Sequence, residues 1–130
     1  MAADPVFTGT PNRGVVAVST ANTARDGSGT IATAWTAGAS GGIVNRVILK
    51  ATGDPADSIV TMFINDGGGM DLFDEFDLGD PAAASTTVTG FRVERSYEDL
   101  VLESGDIVGF AITVALTAGV INAWVLGGDF

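Results

Sequence analysis

GIVNRVILKATGDPADSIVTMFINDGGGMDLFDEFDL, residues 42–78, is the stretch that decides the fold. Val47, Leu49 and Ala51 alternate with Arg46, Ile48 and Lys50, and Val60, Met62 and Ile64 alternate with Ile59, Thr61 and Phe63. A period of two is that of a strand, whose successive side chains point to opposite faces; an amphipathic helix repeats every three to four residues. Gly53-Asp54-Pro55 and Gly67-Gly68-Gly69 break the stretch into three, the triple glycine supplying the positive φ that a tight hairpin requires. The expected strands are 43–52, 58–66 and 70–78.

Outward from this centre, weaker alternation predicts strands at 14–20 and 30–36 before it. After it, strands are expected at 86–95, with a bulge at Gly90, at 100–102, at 106–115 and at 120–126. Residues 96–99 are expected to form a turn. The segment 106–115 reads as strand because Val108, Phe110, Ile112 and Val114 alternate with Ile107, Gly109, Ala111 and Thr113. About eight strands at this spacing predict an all-β, single-domain, jelly-roll-like antiparallel β-sandwich over 14–130. Residues 1–13, with Pro5, Gly9 and Pro11 around one apolar pair, Val6 and Phe7, predict an extended N-terminal arm.

Composition narrows the classes. A chain of 130 residues, 46% apolar, is long enough to bury a core, and without cysteine it must rely on packing alone. Sixteen acids against six bases give a net charge of −10, which repels phosphate backbones and anionic membranes, so no nucleic-acid or membrane partner is expected. The most apolar segment, 107–125, is broken by Gly109, Thr113, Thr117, Gly119 and Asn122 before it reaches the ~18 residues of a spanning helix. The first residues show neither a basic nor an apolar leader region, and synthesis in a cytoplasm is expected.

Catalytic chemistry finds few candidates. With no histidine or cysteine, the commonest bases and thiol nucleophiles are missing, and a serine nucleophile would depend on the single lysine, Lys50. Asp71, Asp74, Glu75 and Asp77 offer carboxylate pairs for a glycosidase, and with Asp66 and Asp80 they offer oxygen ligands for calcium. Neither has a recognised spacing, so these acids read as a solvated edge whose Asn substitutions would cost little. Trp35, Trp124 and Tyr97 are the candidate sugar platform, but aromatic residues in apolar strands read first as core. The glycine runs precede no helix and form no phosphate loop. No catalytic residue, metal site or cofactor is assigned, and an enzyme is not expected.

Four motifs carry a resemblance: TANTARDGSGT at 20–30, NRVILKATG at 45–53, FINDG at 63–67 and GGDF at 127–130. Together they resemble a family of small virion proteins of tailed bacteriophages, over most of the chain from about Val18 but less clearly across 80–99. The resemblance implies a structural role on the particle. The implied protein is a capsid decoration (cement) protein on the outside of the shell, binding the major capsid protein as a homotrimer. A tail- or fibre-associated component and a carbohydrate-binding module are the alternatives. The strand 58–66 carries apolar residues on both faces and so needs two burial partners. Ile59 and Phe63 are therefore the expected subunit or capsid contacts in the sandwich, with Val6 and Phe7 as anchors in the arm.

Overall fold

The protein, seen here in a computed structural model, is described over residues 9–130. Eight strands follow one another: β1 (Thr10–Val18), β2 (Ala32–Thr36), β3 (Gly42–Ala51), β4 (Ser58–Asn65), β5 (Met70–Gly79), β6 (Arg92–Leu102), β7 (Ile107–Ile112) and β8 (Ile121–Asp129). They form two four-stranded sheets, a front sheet in the order β1-β8-β3-β6 and a back sheet in the order β2-β7-β4-β5. Every strand pairing is antiparallel. The chain is thus an all-β sandwich, as the period-two pattern predicts.

Between the sheets lies one core. Val47, Leu49 and Ala51 of β3, Val60 and Met62 of β4, Val108, Phe110 and Ile112 of β7, and Ile121, Ala123 and Val125 of β8 are all buried there. Those of β3, β4 and β7 are the inward sets given by alternation. The Gly67–Gly69 segment makes the expected β4–β5 hairpin, with φ of 100° at Gly67 and 117° at Gly69. Gly53-Asp54-Pro55, by contrast, carries the chain from the front sheet to the back one, because β3 pairs with β6 and β8 and not with β4.

Besides β7, which stops at Ile112 rather than 115, and β8, which runs on to Asp129 rather than 126, two boundaries differ from the expectation. Strand β1 begins at Thr10, where Thr10 to Arg13 pair with Asp129 to Leu126, so four residues read as arm belong to the sheet. Pro11 is tolerated because β1 is an edge strand with one ladder only. Val6 and Phe7 lie outside the described residues. The other difference is β6, a single strand from Arg92 to Leu102 rather than a strand over 86–95 followed by a turn. Thr87 and Val88 instead donate their amides to Ser85 Oγ in a polar turn, at 3.2 and 3.0 Å. Across 96–99 the β3–β6 register slips, with Val44 opposite Leu100 but Arg46 opposite Ser96. The turn-prone residues there form an irregularity inside the strand, and Asp99 takes φ 57°, which aspartate tolerates better than most residues.

Phe63, a predicted subunit contact, is 0% exposed within the single chain, although it points away from the central core. Its cross-strand neighbour Gly109 faces Ile31 and Met70, so closely that an added Cβ would lie 2.7 Å from Ile31 Cγ2. The β1–β2 connection crosses this face and is anchored there. Asn22 N donates to Ile112 O at 2.7 Å, and the Asn22 amide donates to Ser28 O and Thr30 O at 3.0 and 2.9 Å. The second apolar face of β4 is therefore buried by the protein's own loop at Phe63, while Ile59 remains half-buried.

Candidate functional site: the outer face of the front sheet

Strand register places three transverse rows of side chains on the outer face of the front sheet. Directly paired residues share a face. The central row is Val15, Trp124, Ile48 and Glu94; on one side of it run Arg13, Leu126, Arg46 and Ser96, and on the other Ala17, Asn122, Lys50 and Arg92. An apolar strip with Trp124 in its middle is thus rimmed by Arg13, Arg46, Lys50 and Arg92. These are four of the six bases in a chain of net charge −10.

Around Trp124 the surface dips into a depression of about 350 Å³ lined by Arg13, Ile48, Lys50, Arg92, Trp124 and Leu126. Val15, at its margin on edge strand β1, is 46% exposed. The rim is partly organised. Glu94 takes ion pairs from Arg46 at 3.0 Å and Arg92 at 2.9 Å, and hydrogen bonds from these guanidiniums hold its carboxyl below the ordinary range. Lys50 Nζ donates to Gly90 O at 2.8 Å, while Arg13 makes no ion pair among the described residues. The result is an apolar floor with a positive border. Such a surface suits a partner that brings an apolar anchor and negative charge together.

The residues named from sequence are dispersed. Trp35 is in the core, 3% exposed, with its Nε1 lacking a hydrogen-bond partner among the described residues. Trp124 is on the outer face and Tyr97 on β6 at the open side of the sandwich, so the three aromatics form no common platform. The outward position of Trp124 was legible in principle, since Asn122, Trp124 and Leu126 alternate with the buried Ile121, Ala123 and Val125. A tryptophan in an apolar strand masks that parity, because it reads equally well as core.

The acids of β5 do not act as one group. Asp74 is bound at the sandwich edge, accepting from Arg95 Nη1 at 2.8 Å, from Tyr97 Oη at 2.8 Å and from the Glu75 amide at 2.8 Å. The Arg95 guanidinium also lies 4.3 Å above the Phe76 ring and donates to Glu75 O. Glu75 pairs with Arg25 of the β1–β2 connection at 3.1 Å. Asp71 and Asp77 are exposed and make no ion pair among the described residues, Asp77 only accepting from the Gly79 amide at 2.9 Å. Among the described residues no three acidic side chains gather in a metal-ligating group.

Asp74 is therefore a structural ion pair, contrary to its reading as one more solvated acid. Burial tends to raise its pKa, but the hydrogen bonds from Arg95, Tyr97 and the Glu75 amide together hold it below the ordinary 3.8. Burial and the bond to Asp74 push the Tyr97 hydroxyl well above its ordinary 10. Asp74→Asn is expected to cost on the order of 1–2 kcal/mol, discounted for partial exposure, while Asp71→Asn and Asp77→Asn stay near neutral. Because the folded pKa of Asp74 lies below the unfolded one, its contribution is present above about pH 3.8 and is lost as pH falls through the folded value. Thermal melts of wild type and Asp74→Asn across pH 7 to 2 should thus converge at the acid end. A constant gap would show that the carboxylate's charge is not what is lost.

The fold and this face define a small β-sandwich whose most developed surface feature is a basic-rimmed apolar sheet face. Compared with known proteins, the chain matches no family model, no curated protein and no solved structure.

Proposed function

We propose that this protein is a non-enzymatic structural component of a bacteriophage virion, a capsid decoration protein that binds the outside of the shell as a homo-oligomer, with a trimer preferred. The observation that carries the reading is the outer face of the front sheet: a broad apolar strip with an ordered charged rim is built for contact with a protein surface. The strand orders β1-β8-β3-β6 and β2-β7-β4-β5 support a jelly-roll reading, in which successive strands alternate between the two sheets except at the β4–β5 hairpin. That architecture serves capsid and lectin domains alike. The motif resemblance favours the capsid role. The lining of the Trp124 depression also argues against a sugar ligand, because carbon and cations offer few neutral groups for hydroxyls.

In this reading the sandwich face serves self-association, and the arm, through Val6 and Phe7, serves attachment to the major capsid protein. Ile59 keeps enough exposed surface to contribute; Phe63 does not. The test is binding to shells stripped of this protein. Full-length protein should decorate them to saturation, and deletion of residues 2–8 should weaken binding at least tenfold while leaving the oligomer intact. Failure of the full-length protein to bind would remove the decoration role; undiminished binding by the truncated protein would remove the arm from attachment.

A further inference from the structure

We propose that the Trp124 depression receives the tip of the β4–β5 hairpin of a second copy of this chain, with Phe73 as the inserted side chain; this rests on the homo-oligomeric reading above. Phe73 is 46% exposed, which is unusual for a phenylalanine in an otherwise acidic strand. It sits at the point where the β4–β5 register slips, since Phe63 pairs with Leu72 and Met62 with Asp74, leaving Phe73 as the extra residue. A bulge of this kind re-aims a side chain. Phe73 is also held in place: its ring packs at 57° against Tyr97, 5.7 Å between centroids, and Tyr97 is fixed by its hydrogen bond to Asp74. An aromatic group positioned before binding loses little entropy on insertion.

The charges around the two surfaces are opposite. Among the described residues Asp66 in the hairpin turn and Asp71, two residues before Phe73, make no ion pairs, whereas Asp74 and Glu75 are neutralised by Arg95 and Arg25. The free negative charge of the hairpin therefore flanks the exposed ring, with Asp66 and Asp71 on the turn side and Asp77 beyond it. On the front face Arg13 and Lys50 make no ion pair among the described residues, and Arg46 and Arg92 share one carboxylate. An apolar anchor with adjacent carboxylates meets an apolar depression with adjacent guanidiniums.

The same charges exclude one arrangement. A two-fold, face-to-face dimer would set Arg13, Arg46, Lys50 and Arg92 against their own copies, which is repulsive. Tip-into-face contact brings opposite charges together at every interface. It stays finite where two copies exchange hairpins about a two-fold axis or where head-to-tail contacts close into a ring, and a trimer is a ring of this type. It also explains why the acids of β5 leave an aromatic ring uncovered, which a strip serving only to block edge aggregation would not need.

Light scattering coupled to gel filtration on the full chain tests this. Wild type should be a closed oligomer, and Trp124→Ala and Phe73→Ala should each weaken assembly at least tenfold while keeping a cooperative melt. Asp66→Lys with Asp71→Lys, and separately Arg13→Glu with Arg92→Glu, should each give monomers. Combined in one chain, the four changes should restore the oligomer, because the reversed tip then meets the reversed face at every interface. The proposal is overturned by a monomeric wild type, by an oligomer indifferent to Trp124→Ala and Phe73→Ala, or by a fourfold variant that stays monomeric. Loss of the oligomer on deleting residues 2–8, with both alanine variants still assembled, would give the depression no role and the arm the interface. Shell binding reports separately: an oligomer lost through these variants in a protein that never binds shells leaves this contact standing and removes only the decoration role.

Discussion

Phe110→Ala is expected to lower the free energy of unfolding by about 3–5 kcal/mol, the largest effect of any single truncation in the chain. Phe110 is 0% exposed on β7, an inner strand of the back sheet, with Ala32 of β2 on one side and Met62 of β4 on the other. Its ring reaches into the core shared with β3 and β8. Removing it loses the transfer energy of the ring and leaves a void that two hydrogen-bonded sheets cannot close by moving together at one point. A domain of this size has roughly 5–15 kcal/mol of stability in total, so the variant is expected to be marginal at 37 °C. Urea unfolding should show a lower midpoint with an unchanged slope. A loss below about 1 kcal/mol would mean that the sheets repack around the missing ring.

Gly14→Ala is the second large effect, and its cause is backbone approach. Strand β1 lies in the front sheet and β2 in the back, and at Gly14 they come so close that a Cβ would sit 1.8 Å from Ala34 O and 3.3 Å from Trp35 Cα. Neither is the end of a flexible side chain, so β1 or β2 must move. We expect a loss of about 3 kcal/mol, the upper part of the range for overpacking, and a melting temperature lower by roughly 10 °C. Gly68→Ala is the matched control, since a Cβ there meets only Asp66 Oδ1 at 3.5 Å. It should change stability by less than about 0.5 kcal/mol. Equal losses at the two positions would refute the close approach of β1 and β2. Because β1 also carries Arg13 and Val15, the Gly14 variant should in addition weaken association through the front face.

The acidic hairpin shows how local reading and tertiary contact divide. Asp71, Asp74 and Asp77 are the same residue type at similar spacing, and nothing in their sequence neighbourhood distinguishes them. Asp74 differs because the bulge at Phe73 turns it toward β6, where Arg95 and Tyr97, more than twenty residues later, complete its hydrogen bonds. Phe63 is a comparable case. The apolar parity of β4 was legible, but whether a neighbouring subunit or the chain's own loop would cover it was not. Loop 19–31 is polar and glycine-containing, and only the anchors to Ile112, Met70 and Glu75 bring it over the back sheet.

What the sequence by itself determined is the all-β class, the inward and outward sets of β3, β4 and β7, and the Gly67–Gly69 hairpin. All of these follow from interactions within a few residues: side-chain alternation, the steric freedom of glycine and the short hydrogen bonds of a turn. Tertiary structure alone decided which strands share a sheet, where β1 and β6 begin, and which bases border Trp124. Those depend on pairings between residues as distant as Val15 and Trp124 or Ile48 and Glu94, selected by the free energy of the whole ladder and core rather than by any local preference. The basic-rimmed face exists only once four strands from both ends of the chain lie side by side.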